Sequence, residues 1–340
     1  MHLGRNMKSV ASREIRLVSR PHGWPKLESF TIVRVELAPV REGEALVRNL
    51  FMSVDPYMRG RMNDVPSYVP PFALDRALDG SAIGEVVESR AAGLAAGDIV
   101  LSNRGWRESF VAPASELQKV DDPIRPVSIY LGALGMPGLT AWAGLRLVDV
   151  MTQDCVFVSA AAGAVGSIAG QLAKLRGCRV VGSAGSSEKV TTLVQELGFD
   201  AAFNYKDGDL VGQLKSAAPD GIDVYFDLVG GEQLEAALAS LRMHGRIIAC
   251  GAISQYNDET APPGPRNLGL VIGKRLTMKG LIASDWVTSL PEFRHEVGRH
   301  LRDQSLKTRE TVFMGIETAP KAFIDMMHGA NVGKMLVELD

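Results

Sequence analysis

The residues with the clearest chemical purpose are the small ones in Ser159-Ala160-Ala161-Ala162-Gly163-Ala164-Val165-Gly166, which follow the apolar run Cys155-Val156-Phe157-Val158 and open a helix-patterned segment. A strand that ends there, reverses tightly and starts a helix presents unpaired backbone amides to a pyrophosphate. Large side chains would hold the backbone off the phosphates, so Ala161, Gly163 and Gly166 stand at the fingerprint positions, with Ala in place of the first Gly. Gly/Ala turns also occur wherever a helix packs closely on a strand, so this motif needs its context. The next apolar run ends in Gly182-Ser183-Ala184-Gly185-Ser186-Ser187-Glu188-Lys189, with no carboxylate directly at the strand end. An acidic side chain there would bond the 2′-hydroxyl of NAD, whereas a basic one accepts the 2′-phosphate of NADP. Ser186, Lys189 and Tyr205 could meet a dianionic phosphate, which favours NADP. The competing reading makes Ser186 a helix cap and Lys189 a solvated surface charge.

Metal chemistry has less to build on. Cys155, Cys178 and Cys250 are widely spaced, each in or beside an expected central strand, and read as small buried hydrophobes. His2, His22, His244, His295, His300 and His328 are equally scattered, and no pair has metal-ligand spacing. The expected metal set is therefore none.

These residues need elements to position them. After the turn, Val165, Ile168, Ala169, Leu172 and Leu175 recur at helical spacing, Gly177 closes the helix, and residues 179–183 form a second apolar run. The alternation continues with helices expected over 188–197, 210–217 and 233–242, and strands over 201–204, 222–228, 246–250 and 276–283. Strands apolar throughout, separated by amphipathic helices, predict an α/β fold with a doubly wound parallel sheet covered on both faces. From about Arg13 to Glu116 the pattern changes to short alternating runs, such as 44–49, 81–88, 98–101 and 108–112, punctuated by Gly and Pro. That predicts a β-rich, barrel-like domain. Lys334 to Leu339 is another strand-like run that could return to it, so the expected division is residues 1–133 and 307–340 for the β-rich domain and 134–306 for the dinucleotide-binding domain.

Composition bounds the partners. The 340 residues are 46% hydrophobic and 22% charged, enough for two cores, without an apolar run of membrane-crossing length. A formal charge of −2 gives no electrostatic footprint for nucleic acid or an anionic membrane. Met1 to Arg16 is mixed and basic without an apolar core, so neither a secretory signal nor a lipidation motif is expected, and a cytoplasmic location follows by default.

Several segments in order now carry a resemblance: Asp55-Pro56-Tyr57-Met58-Arg59-Gly60-Arg61-Met62, Gly135-Met136-Pro137-Gly138-Leu139-Thr140-Ala141, the Ala/Gly turn, Phe203-Asn204-Tyr205-Lys206, Cys250-Gly251-Ala252-Ile253-Ser254-Gln255-Tyr256-Asn257 and Gly329-Ala330-Asn331-Val332-Gly333-Lys334. Over nearly the whole chain they resemble the zinc-independent medium-chain dehydrogenase/reductase superfamily, in its prostaglandin reductase, alkenal double-bond reductase and curcumin reductase group. The resemblance implies a Rossmann-type domain and a GroES-like β-barrel domain flanking an active cleft. It also implies NADPH-dependent reduction of the carbon–carbon double bond of α,β-unsaturated ketones or aldehydes. By the same resemblance Gly163, Ala164, Val165 and Gly166 hold the pyrophosphate and Lys189 and Tyr205 meet the 2′-phosphate. Cys250, Gly251, Ala252, Ile253 and Ser254, up to Tyr256, pass along the cofactor. Leu281, Ile282 and Ala283, towards Trp286, lie beside the nicotinamide, and Asn331 with Gly333 reaches it from the closing segment. One position departs: the group commonly carries Asn after the Asp of the fourth strand, where this chain reads Phe226-Asp227-Leu228-Val229-Gly230-Gly231. A side-chain hydrogen bond to the nicotinamide ribose is not available from Leu228, which puts cofactor affinity or placement in question.

Hydride arriving at the β-carbon of an enone pushes charge onto the carbonyl oxygen, so the site needs a donor at that developing enolate and then a proton for the α-carbon. Tyr256 is the first candidate, since a phenol is a neutral donor that strengthens its hydrogen bond as the oxyanion forms. Tyr57 is the second, with a role in lining the cleft. Each could instead pack its ring on a loop with the hydroxyl in water. A quinone reductase of the same fold would share every cofactor residue and differ in the cleft, and a non-catalytic NADPH-binding protein has the same scaffold. The edge-like strand over 276–283 could pair with its copy in a second subunit, so a homodimer is expected.

Overall fold

Apolar segments interrupted by Gly, Pro and Asp form two kinds of sheet in this chain, and the computed structural model describes residues 10–121 and 123–339. The reading of residues 1–9 as part of a stretch without a targeting signal lies outside the described residues. The chain divides into two units: one runs to Leu131 and takes back Val312–His328 and the chain from Met335 onward, and the other comprises Gly132–Thr311 and Gly329–Lys334.

In the first unit, β1 (Val10–Leu17) and β2 (Phe30–Leu37) form an antiparallel ribbon. β3 (Glu44–Ser53) is followed by the short helix α1 (Tyr57–Arg61) and by β4 (Ala82–Ser89), β5 (Ile99–Ser102), β6 (Ser109–Pro113) and β7 (Gln118–Lys119). β3 pairs antiparallel with β4 and β6, β4 with β5, and β5 with β7. Ala45, Val47, Val86, Val100, Phe110 and Ala112 alternate inward along these strands into one core cluster. These strands make the antiparallel β-sheet domain that the sequence pattern predicts.

In the second unit, helix α2 (Met136–Leu147) precedes β8 (Cys155–Val158), α3 (Ala164–Leu175), β9 (Arg179–Ala184), α4 (Ser187–Thr191), β10 (Ala201–Asn204), α5 (Leu210–Ala217), β11 (Ile222–Asp227), α6 (Gly231–Ser240) and β12 (Leu241–Ala249). α7 (Leu270–Lys274), β13 (Thr277–Gly280) and α8 (Leu290–Arg302) follow. The six strands are parallel in the order β10-β9-β8-β11-β12-β13. The chain builds outward from β8 in one direction and from β11 in the other, so the strand order reverses between them. Such a switch point opens a crevice at the carboxyl ends of the strands. β8 is buried at every position, as a central strand covered on both faces must be, and Phe157 stacks on Tyr225 and Phe203 at 5.0 and 5.8 Å between ring centres. β14 (Glu310–Met314), α9 (Ala319–Met327) and β15 (Lys334–Glu338) complete the described chain, with β15 pairing β3.

Three elements differ from the sequence pattern. The helix expected over 188–197 is a single α-helical turn continued by a π-turn, Thr192–Glu196, in which the Leu197 amide reaches back to the Thr192 carbonyl. The helix expected to reach 242 stops at Ser240, because Leu241 already pairs with Ile222 and a register shift restores β12 by Arg246. The strand expected over 276–283 shrinks to Thr277–Gly280, all four residues exposed. Its apolar neighbours Leu276 and Leu281 are buried instead, so hydrophobicity there marks anchors at the ends of an edge strand rather than the strand itself.

Candidate active site

The turn after β8 is held from three sides. Its Ala161 amide donates to the Ser183 carbonyl on β9, the Gly163 amide donates to the Ala160 carbonyl, and Ala160 takes a positive φ of 45° to close the reversal. The Ser167 amide donates back to Gly163, which caps α3 in extended conformation. The amides of Ala164, Val165 and Gly166 fall in the first helical turn, where a helix has no acceptor of its own for them. A Cβ at Gly166 would stand 2.6 Å from the Ala160 carbonyl oxygen, and one at Gly182 2.9 Å from the Ala161 Cβ. The lack of side-chain bulk therefore lets helix, turn and β9 close on one another, and the open amides with the positive helix end fit a pyrophosphate. The closing segment comes to the same turn: the Gly333 amide donates to Ala162 at 2.7 Å, and Asn331 Nδ2 donates to the Gly333 carbonyl at 2.7 Å.

A second polar corner forms where β9 and β10 end. Ser186 caps α4, its hydroxyl oxygen accepting from the Lys189 amide at 3.3 Å, so the capping role weighed against phosphate binding is present while its O–H can still donate. Lys189 is half-buried, and its Nζ donates to the Gly329 carbonyl at 2.6 Å. Burial, helped by the charge of Lys206, lowers the Lys189 pKa, with Glu188 opposing. A Cβ on Gly185 would meet the Tyr205 hydroxyl at 3.2 Å, and Lys206 Nζ lies 6.0 Å from the Tyr205 ring centre. Two ammonium groups, a phenol and a serine hydroxyl thus gather at the strand end that selects between ribose and ribose phosphate. This donor set fits a dianion.

The third group clasps two strand ends. Asp227, 3% exposed at the end of β11, accepts on one carboxylate oxygen from the Tyr225 hydroxyl (2.8 Å) and the amides of Val229 (3.0 Å) and Gly230 (2.7 Å). Burial raises its pKa, against these hydrogen bonds. The Asp227 carbonyl accepts from the amides of Cys250 and Gly251 at 3.0 and 3.1 Å, Leu228 from Ile253 at 3.4 Å, and Val229 from the Ser254 amide (3.2 Å) and hydroxyl (2.6 Å). The segment leaving β12 is thereby tied to the loop leaving β11, and the Tyr256 hydroxyl lies 3.4 Å from the Ala252 amide. Leu228 works here through its backbone: its amide donates to Ser159 Oγ at 2.9 Å, so the departure from Asn leaves the loop's main-chain bonding in place.

Leu281 is tied to this sheet end by donating its amide to the Ala249 carbonyl. Ile282 and Ala283 lead into a 3-10 segment, Ala283–Ser289, on which Trp286 packs edge-on against the buried Trp142 at 6.2 Å. Trp142 in turn donates to Glu296 at 2.8 Å. Tyr57 belongs to the first unit, at the start of α1, where burial first and then the nearby Asp55 charge push its phenol pKa up. Arg59 and Arg61 on the same helix are buried and hydrogen-bonded to the carbonyls of Gly23 and Pro70.

The clasp around Asp227, together with Ser159, is what reading the sequence missed. Its one signal is a carboxylate closing a strand whose core, Val224–Phe226, is apolar. Burial pushes the thiols of Cys155 and Cys178 up to about 11 and that of Cys250 to about 12. Among the described residues no three His, Cys, Asp or Glu side chains gather as metal ligands, and no helix is long and apolar enough to cross a membrane.

Residues 13–120 match a family described as the N-terminal domain of oxidoreductase, and residues 164–297 one described as zinc-binding dehydrogenase. The chain is 45% identical to a putative NADP-dependent oxidoreductase of Bacillus subtilis, over 97% of this chain and 98% of that protein. It is 41% identical to a 2-alkenal reductase (NADP(+)-dependent) of Nicotiana tabacum, over 97% and 98%. Its fold superposes on CurA in complex with NADPH from Vibrio vulnificus with a TM-score of 0.91 at 37% identity, covering 96% of this chain and 99% of that one.

Proposed function

Because the chain belongs to the zinc-independent medium-chain dehydrogenase/reductase superfamily, we propose that it reduces the carbon–carbon double bond of α,β-unsaturated aldehydes or ketones. It is an NADP-dependent oxidoreductase. The placement of the Tyr256 hydroxyl, on the segment clasped to the switch point of the parallel sheet, carries the reading of the reaction.

In this proposal the first-turn amides of α3 hold the pyrophosphate, and Lys189 with Tyr205, Ser186 and Lys206 holds the 2′-phosphate. Cys250 to Ser254 and Leu281 to Ala283 line the nicotinamide half. Asn331 and Gly333 reach towards the nicotinamide from the closing segment, and Gly333 also braces the phosphate turn by bonding Ala162. When bound, the cofactor supplies the hydride. Tyr256 donates to the carbonyl oxygen, and as negative charge grows there its hydrogen bond strengthens, lowering the barrier. Leu281 and Trp286 keep water from that side of the sheet end. Tyr57, in the first unit, keeps its phenol protonated through burial.

We also propose a cytosolic homodimer formed through β13. Its outer edge has no partner strand among the described residues, and Met278 on it and Ile272 on the preceding α7 are 43% and 82% exposed. Sedimentation at micromolar concentration tests this, and a monomer would refute it.

The activity test follows NADPH absorbance with a medium-chain alkenal, a conjugated enone, a quinone and a saturated aldehyde, with NADH in parallel. NADPH loss with the alkenal and enone, and products saturated at the double bond, is the expected result. Turnover with the quinone alone would replace this reading with a quinone reductase, and tight NADPH binding without turnover would replace it with a binding protein.

A further inference from the structure

We propose that Asp227 is a positioning residue for Tyr256, acting through the two clasped loops that leave β11 and β12. A carboxylate at the end of an apolar strand is costly to bury, and here one of its oxygens organises a whole loop. By accepting from Tyr225, Val229 and Gly230 it turns the chain so that the three successive carbonyls of Asp227, Leu228 and Val229 face the segment leaving β12. Those carbonyls take four amides and the Ser254 hydroxyl from Cys250–Ser254. The same segment ends in the turn that fixes Tyr256: its amide donates to the Ile253 carbonyl, and its hydroxyl sits against the Ala252 amide. A Cβ on Gly251 would lie 3.1 Å from the Leu228 oxygen and 3.4 Å from the Tyr256 hydroxyl, so Gly251 is where loop and phenol converge. The parallel sheet ladder thus extends past its last paired residues, and its final rungs set a donor rather than a core. Displacement of such a group by about 1 Å costs on the order of 10²-fold in rate.

The catalytic half of this inference rests on Tyr256 being the donor, and the test separates the two. Asp227→Ala, Asp227→Asn and Ser254→Ala are compared in the full chain by amide hydrogen exchange without cofactor, and by kcat and KM for an alkenal at saturating NADPH. Each is also made in a Tyr256→Phe background. Asp227→Ala is expected to speed exchange across 250–256 while β8 and β9 stay protected, and to lower kcat by at least ~30-fold with KM within about 3-fold. Asp227→Asn keeps the accepting oxygen and recovers most of both. The loss shrinks to under about 3-fold in the Tyr256→Phe background, since the two act as one unit. Ser254 is exposed, so Ser254→Ala folds even where Asp227→Ala does not, and it is expected to show the same pattern at a few-fold loss. Unchanged exchange over 250–256, an Asn variant as impaired as Ala, or an undiminished loss in the Phe background would each overturn the proposal. Should the unaltered protein turn over no alkenal, the functional reading fails, and the exchange comparison still decides whether Asp227 sets this segment.

Discussion

At the scale of single residues, the site depends on polar groups whose protonation the fold has adjusted. Lys189 is the sharpest case. Burial beside Lys206 lowers its pKa, so in the free enzyme the ammonium loses its proton at a lower pH than an ordinary lysine does. The proposed attraction of Lys189 for a 2′-phosphate is present below that pKa and fades as pH rises through it. NADPH affinity, measured by fluorescence titration, is therefore expected to weaken on the alkaline side while NADH affinity stays level, and Lys189→Met should weaken NADPH binding and remove that part of its pH dependence. Tyr256→Phe tests the reaction rather than binding: kcat is expected to drop on the order of 10²-fold with the NADPH dissociation constant within about 2-fold. Full retention of kcat would take Tyr256 out of the mechanism. Lys189, Tyr205 and Tyr256 stand out in the sequence as candidates because each lies in a segment whose neighbours are themselves diagnostic. Asp227 could not, since a carboxylate at a strand end looks like any solvated loop residue until its three donors are in place.

At the scale of elements, close approach decides the geometry. Gly166 lets α3 sit directly on the turn, where an added Cβ would strike the Ala160 oxygen and the Ala161 Cα at 2.6 and 2.8 Å, both backbone atoms that cannot move independently. Gly166→Ala is expected to cost ~1–3 kcal/mol by urea denaturation and to weaken NADPH binding together with it. A variant as stable as the parent would mean that the helix can shift without loss. The alternation of strand and helix was legible because central parallel strands such as Val156–Val158 and Val224–Phe226 are apolar on both faces. The boundaries were not. Beyond Thr191 the helix widens into a π-turn, and Leu241 enters a strand before the local pattern changes, the latter a consequence of pairing with Ile222. The strand over 276–283 was legible but its ends were not, since its extent, Thr277–Gly280, is set by pairing with β12 alongside it.

At the scale of the whole molecule, the composition hid a feature that the proposed chemistry makes important. All three cysteines are held as thiols, Cys155 and Cys178 at 4% and 2% exposure and Cys250 at the half-buried end of β12, each with its pKa raised by burial. The thiolate is the reactive form, so at neutral pH each is present only in trace. Stability draws on the same arrangement: a thiol whose folded pKa lies above its unfolded value contributes stability that is kept below the unfolded value and lost as pH climbs towards 11 to 12. Unsaturated aldehydes are electrophiles that add to thiolates, so under the proposed function the protein would face alkylation by its own substrate. With Cys155 inside β8 and Cys178 and Cys250 sheltered next to the ends of β9 and β12, the enzyme should outlast its clientele. Intact mass after prolonged exposure to an alkenal is expected to show no thiol adduct on the folded protein and up to three after unfolding in urea, and an adduct on the native chain would mean that one of these sulfurs is reachable.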